Sequence, residues 1–412
     1  MGIIIKRTTD PKKLPIPLGT TQKTVGLTGD EAAAFAAKQC DVDVVAAYPI
    51  TPQTIIVEKF SEYVHNGEVQ TEFVCVESEH SAMSACVGAS SVGARVFTAT
   101  SSQGLALMHE VLYAASGARL PIVMATANRA LSAPINIHCD HSDTMGSRDC
   151  GWIQIFVENA QEVYDWIPQG FKIAEDARIQ LPLAVNLDGF VLTHATEDLR
   201  ILKDEDIKKF LPERAPTFKL DPSDPITLGG ISLPPYYYEL KVQQDAALRK
   251  TIDVVDEVAK DYKQVSGREY GVVETFEMDD AEVAILCLGS TCGTVRYVVR
   301  KLRTKGLKVG LIKLWLFRPF PTNEMLEATK NLKVLAIMDK SLSFGAPSGA
   351  LYSDVSTSLQ QSGSTLKMFN IIYGLGGRDI SPTDIEEIYT EAMNIRDTGI
   401  VNENVKYWGV RK

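Results

Sequence analysis

Short apolar runs recur along the first half of the chain at intervals too regular for an irregular fold. Val42-Asp43-Val44-Val45-Ala46-Ala47, Phe73-Val74-Cys75-Val76, Arg95-Val96-Phe97-Thr98-Ala99, Pro121-Ile122-Val123-Met124-Ala125 and Leu183-Ala184-Val185-Asn186-Leu187 each have the length and β-branched content of a buried strand. Helical stretches fall between them. Thr28-Gly29-Asp30-Glu31 caps an alanine-rich helix with acids in its first turn, and Val57 to Tyr63, Ser81 to Gly93, Gly104 to Ala115 and Ala160 to Ala177 predict four more. Strands that alternate with helices at these spacings require crossover connections. The expected architecture is therefore α/β, a doubly wound and mostly parallel sheet with both faces covered.

The same alternation returns later with Glu282–Cys287, Val309–Ile312, Val334–Met338 and Asn370–Tyr373, each followed by a helical stretch. This predicts a second, smaller α/β domain. Residues 1–24 lack periodicity and read as an N-terminal arm, residues 25–201 as the first domain, 202–265 as a connecting segment and 266–412 as the second domain. The connection holds Pro234-Pro235-Tyr236-Tyr237-Tyr238, read as an interface or a packed linker, and a helix from about Asp245 to Val265. From Asn128 to Gly151 runs a long polar loop that retains apolar residues, which favours a functional loop over disorder.

With 412 residues, 45% of them hydrophobic, the chain can bury two cores. A net charge of −10 argues against a nucleic-acid or anionic-membrane partner. The apolar start at Met1–Ile5 is cut short by Lys6 and Arg7, so neither a signal peptide nor a membrane span is expected, and the location is expected to be cytoplasmic. The seven cysteines, Cys40, Cys75, Cys86, Cys139, Cys150, Cys287 and Cys292, include no C-x-x-C pair. Free thiols in a reducing compartment are expected, with any iron–sulfur centre on another chain.

Candidate chemistry gathers at predicted strand ends, where open α/β sheets bind ligands. The prolines of Tyr48-Pro49-Ile50-Thr51-Pro52 force a rigid turn that leaves Thr51 either as a turn cap or as a ligand contact. Glu79, at the head of a helix of small residues, reads either as an acid favoured by the helix dipole or as a carboxyl that holds a proton against a heterocycle nitrogen. Arg129, closing the fourth strand, reads as a surface ion pair or as a bidentate carboxylate clamp. His138, Asp140, His141 and Asp143 lack a spacing that fixes metal geometry and are expected to tie the long loop together. There is no G-x-G-x-x-G and no P-loop; Gly374-Leu375-Gly376-Gly377 reads as a turn at a domain interface.

Taken together, Tyr48-Pro49-Ile50-Thr51-Pro52, Glu77-Ser78-Glu79, Thr100-Ser101-Ser102-Gln103-Gly104-Leu105, Thr126-Ala127-Asn128-Arg129, Asp140-His141-Ser142-Asp143, Gly310-Leu311-Ile312-Lys313 and Phe317-Arg318-Pro319-Phe320 resemble the α subunit of the 2-oxoacid:ferredoxin oxidoreductases, most closely the pyruvate:ferredoxin oxidoreductases. The resemblance runs from Thr24 to about Met393. It implies a thiamine diphosphate pyrimidine-binding domain followed by a transketolase C-terminal-like domain. Glu79 would face the aminopyrimidine, and Thr51 and Arg129 would contact the 2-oxoacid. The implied activity is the reversible oxidative decarboxylation of pyruvate to acetyl-CoA and carbon dioxide, with coenzyme A as co-substrate and ferredoxin as electron acceptor.

The chain has no Gly-Asp-Gly followed by Asn-Asn, the motif that grips the diphosphate through a divalent metal. The resemblance therefore implies that a β subunit shares the thiamine diphosphate and that Mg2+ and [4Fe-4S] clusters lie on partner subunits, including γ and ferredoxin-like δ subunits. Alternatives are a branched-chain 2-oxoacid or oxalate enzyme of the same kind, a non-catalytic scaffold subunit, and a free-standing nucleotide- or coenzyme-A-binding protein.

Overall fold

The computed structural model describes residues 2–8 and 22–411. Among these residues sixteen strands form three sheets. The first nine are β1 (Ile4–Arg7), β2 (Lys23–Leu27), β3 (Val44–Ala47), β4 (Glu72–Cys75), β5 (Val96–Thr100), β6 (Ile122–Asn128), β7 (Ile153–Phe156), β8 (Leu183–Asp188) and β9 (Glu197–Ile201). The rest are β10 (Val273–Phe276), β11 (Val283–Cys287), β12 (Val309–Leu314), β13 (Leu316–Arg318), β14 (Val334–Asp339), β15 (Lys367–Ile372) and β16 (Val405–Tyr407).

The first large sheet has the order β13-β7-β8-β6-β5-β3-β4. All its pairings are parallel except that of β13 with β7. Side chains alternate across it: Phe97, Val123 and Ala125 face one helical layer, while Val96, Ile122 and Met124 face the other. The first layer includes the helix Gly29–Gln39, whose alanines approach the helix Ala160–Ala174 closely, and which starts with a capping box between Thr28 and Glu31. The chain leaves β3 for β4 on one side, then returns to place β5 on the other. That reversal leaves a crevice beyond the carboxyl ends of β3 and β5.

The second large sheet, β1-β10-β12-β11-β14-β15-β16, is parallel apart from the pairing of β10 with β12. Strands β2 and β9 form a separate antiparallel pair.

Three expectations need correction. The arm expected over 1–24 contributes β1 to the second sheet and β2 to the small one; the rest of it lies outside the described residues. Arg7 accounts for the docking of β1, since its guanidinium bonds Glu274 of the neighbouring strand at 2.6 Å in a buried site. The connecting helix starts at Pro234 rather than near Asp245, because proline suits the first helical turn. Tyr236, Tyr237 and Tyr238 consequently stand exposed on its first turns. Finally, the boundary near residue 266 does not divide the sheets, since β13 crosses back to pair with β7, Leu316 opposite Ile155.

Buried charge reinforces that crossing. Lys313, fully buried, donates to Glu158 at 2.7 Å and to Glu162, while Arg296 reaches Glu158 and Glu274, both at 2.7 Å. Trp315 adds an indole N–H to Glu162 at 3.0 Å. A second buried knot closes on Asp165, which takes Arg268 and the hydroxyls of Tyr262 and Tyr270. No helix among the described residues is long and apolar enough to cross a membrane.

Candidate active site

The carboxyl ends of β3, β4, β5 and β6 carry Thr51, Glu79, Ser102 and Arg129 to one edge of the first sheet. The turn after β3 is pinned by Gln53, a buried side chain that donates to the carbonyl of Ala99 at 2.7 Å and accepts from the N–H of Ile50 at 3.2 Å. Gly189, at the end of β8, lets this turn come close: a Cβ there would lie 2.4 Å from the Asn128 oxygen and 2.9 Å from Pro52.

Arg129 is buried to 6% exposure, and its guanidinium is held by two backbone carbonyls, Thr51 at 2.8 Å through Nη1 and Asn136 at 3.1 Å through Nε. No ion pair to this side chain forms among the described residues, and burial pulls its pKa down from the usual arginine value. The surface-pair reading of Arg129 is thereby set aside. Thr51 itself is exposed, beside the arginine that its carbonyl steadies.

Glu79 is the first residue of the helix Glu79–Ser91, whose N-cap Ser78 accepts from the N–H of Ser81. It is only 7% exposed. Its side chain lies along Gly104, where a Cβ would fall 2.6 Å from Glu79 Oε1 and 2.5 Å from Thr100 Oγ1. Three buried polar atoms nearby in sequence, Thr100 Oγ1, Ser101 Oγ and Gln103 Nε2, have no hydrogen-bond partner among the described residues. Orphaned donors and acceptors of this kind are costly unless something polar meets them.

The long loop after β6 holds the edge together. Asp143 accepts from the N–H groups of Ser102, Arg129 and Thr144 and from the Asn128 amide, while burial pushes its carboxyl up to about 6. Asp140 accepts from Ser142 and from the N–H of Gly376, and Asn136 donates to the Gly376 carbonyl at 3.0 Å. The glycine turn Gly374–Gly377 thus sits against the first domain's loop, as an interface turn. His141, Cys139 and Asp188 converge to within 4.8 Å, but Asp188 already takes His141 at 2.8 Å, Lys340 at 2.9 Å and the Ser290 hydroxyl. Burial alone would raise the Asp188 carboxyl; the Lys340 ammonium and His141 outweigh it and hold it well below the carboxylate range. Sequence reasoning missed Asp188 and Lys340, whose only signal is a charged residue closing each of two apolar strands.

A buried acid, a carbonyl-braced arginine and a crevice at the sheet's switch point thus lie on one edge of the first of two α/β sheets. Residues 35–260 match the family described as "Pyruvate flavodoxin/ferredoxin oxidoreductase, thiamine diP-bdg", and residues 281–385 match "Pyruvate:ferredoxin oxidoreductase core domain II". The subunit PorA of pyruvate synthase from Thermotoga maritima is 48% identical, over 94% of this chain and 98% of that protein. Its counterpart from Methanocaldococcus jannaschii is 48% identical over 90% and 95%. The ketoisovalerate oxidoreductase subunit VorA of Pyrococcus abyssi is 42% identical over 94% and 98%. Among solved structures, the 2-oxoglutarate:ferredoxin oxidoreductase of Magnetococcus marinus superposes with a TM-score of 0.70 at 20% identity, over 90% of this chain and 65% of that one, which speaks to the fold. The chain belongs to the pyruvate:ferredoxin oxidoreductase family. It is a subunit of an oxidoreductase and carries that family's thiamine diphosphate-binding domain.

Proposed function

We propose that this chain provides the pyrimidine-side half of the site at which pyruvate and coenzyme A become acetyl-CoA and carbon dioxide, releasing a proton and two electrons to ferredoxin. The observation that carries the reading is the arginine just after β6, buried, its guanidinium braced by two carbonyls and in no side-chain ion pair among the described residues. Such a guanidinium is pre-organised for an incoming carboxylate, and Arg129 would grip that of pyruvate with Thr51 beside it.

Glu79 fits an aminopyrimidine ring: it is buried, close-packed against a glycine that leaves room for no Cβ, and near unpartnered polar atoms. Its carboxyl would hold a proton at the ring nitrogen, and thiamine diphosphate when bound supplies the electron sink for decarboxylation. The diphosphate, its Mg2+ and the [4Fe-4S] clusters would fall to partner subunits of the β, γ and δ type, since this sequence carries neither the Gly-Asp-Gly and Asn-Asn motif nor a C-x-x-C pair. The proposed setting is cytoplasmic, in a complex active only when assembled.

Glu79→Gln tests the reading. In the assembled complex, turnover of pyruvate is expected to fall by three orders of magnitude or more, on the order of what positioned proton transfer contributes, with subunit composition unchanged. Retained turnover overturns the assignment of Glu79. The kcat/KM ratio of pyruvate to 2-oxoisovalerate separates a pyruvate enzyme from a ketoisovalerate enzyme.

A further inference from the structure

Asp143 has no role in the chemistry proposed above, yet its carboxyl is 3% exposed and accepts four hydrogen bonds, all from N–H groups. Oδ2 accepts from the backbone of Ser102 at 3.0 Å and of Arg129 at 2.9 Å. Oδ1 accepts from the side-chain amide of Asn128 at 2.9 Å and the backbone of Thr144 at 2.8 Å. A carboxylate offers lone pairs on both oxygens, so it can satisfy four converging donors; an amide offers one acceptor oxygen and turns N–H groups toward donors.

Two strand ends meet at this carboxylate. Ser102 follows β5 with φ of +48°, a sparsely populated backbone for serine, and opens the short helix Ser102–Leu107 that lays Gly104 against Glu79. Arg129 follows β6 and carries the braced guanidinium. The Ser102 hydroxyl adds a second tie between the same two turns, donating to the Ala130 carbonyl at 2.6 Å.

We propose that Asp143 is a positioning residue that fixes the Ser102 turn and the Arg129 peptide to one point, and so sets the spacing between the Glu79 carboxyl and the arginine clamp. This rests on the function proposed above, because it takes those two groups to act on one cofactor and one substrate. Releasing Asp143 loosens both turns at once, leaving only the Ser102 hydroxyl tie between them. The KM for pyruvate and the dissociation constant for thiamine diphosphate therefore move together, although Asp143 touches neither ligand.

The experiment compares Asp143→Ala and Asp143→Asn with wild type in the assembled complex. KM for pyruvate is read from steady-state turnover, and thiamine diphosphate affinity from tryptophan-fluorescence titration of the cofactor-stripped complex. In the alanine variant both constants are expected to rise by about tenfold, the size of one lost hydrogen bond to a charged group, with a smaller joint rise of at least about threefold for asparagine. If the alanine variant does not fold, the asparagine variant carries the test. A folded, assembled Asp143→Asn with both constants within about twofold of wild type overturns the proposal, as does a drop in thermal midpoint with both constants unmoved. The titration needs no turnover, so it judges Asp143 separately from the Glu79→Gln assay that judges the function.

Discussion

Arg129 Nη1 lies 2.8 Å from the carbonyl oxygen of Thr51, so the residue just after β6 is braced by the turn that follows β3. The two strands are not neighbours; β5 lies between them. The crevice is therefore bridged above β5 by a hydrogen bond whose donor is a charged side chain.

Arg129→Lys should separate charge from geometry. Lysine keeps the charge but cannot hold two carbonyls and still offer a planar fork to a carboxylate. KM for pyruvate is expected to rise about 10–100-fold, equivalent to a lost bidentate charge-assisted contact, with a smaller change in kcat. Steady-state kinetics of the complex decide it; an unchanged KM would remove the arginine from substrate binding.

Gly104→Ala should act through Glu79. The added methyl would stand 2.6 Å from Glu79 Oε1 and 2.5 Å from Thr100 Oγ1, so the carboxyl must swing away. Thiamine diphosphate affinity and turnover are both expected to fall by at least about tenfold while far-ultraviolet circular dichroism stays that of wild type. Full activity in this variant would mean that Glu79 tolerates displacement.

Lys313→Met tests the buried charge between the halves. It leaves Glu158 and Glu162 without their ammonium, and removal of one buried partner costs about 3–5 kcal/mol. Calorimetry should show a clear drop in thermal midpoint. Lys59→Ala, which breaks an exposed pair with Glu62, should leave it within a degree or so.

Acid stability follows from the same network. Burial alone would raise the Glu158 carboxyl, but Lys313 and Arg296 outweigh it and hold it at about 2, below its ordinary 4.5. A carboxyl with a lowered folded pKa stabilises the fold above its unfolded value and loses that contribution as pH falls through the folded one. Denaturation midpoints measured from pH 6 down should decline between about 4.5 and 2. Lys313→Met should make that decline shallower and end it at a higher pH, since the folded Glu158 then protonates more readily while its unfolded value is unchanged.

Much of the fold was readable from local pattern. The apolar runs that became β3, β5, β6 and β8 are buried almost throughout and need no distant partner to reveal themselves. Strands β1 and β13 escaped notice because four and three residues carry too little periodicity; what holds them is Arg7 meeting Glu274 and Leu316 meeting Ile155, contacts far apart in sequence. At the site, Thr51, Glu79 and Arg129 stood out as polar residues at strand ends. Asp143 was legible only as a tie within its loop, since a sequence does not say that the N–H groups of Ser102 and Arg129 will converge on its carboxylate; Asp188 did not stand out at all, because Ser290 and Lys340, which it binds, lie in the other half of the chain.

The return of β13 to the first sheet also bears on how the molecule can be cut. A fragment ending anywhere before Leu316 would leave the flank of β7 bare, a raw border onto which foreign polypeptides can zip. Proteolysis or truncation between the halves should thus yield clumping material rather than two tidy pieces, and newly made protein stays vulnerable until its later portion has emerged.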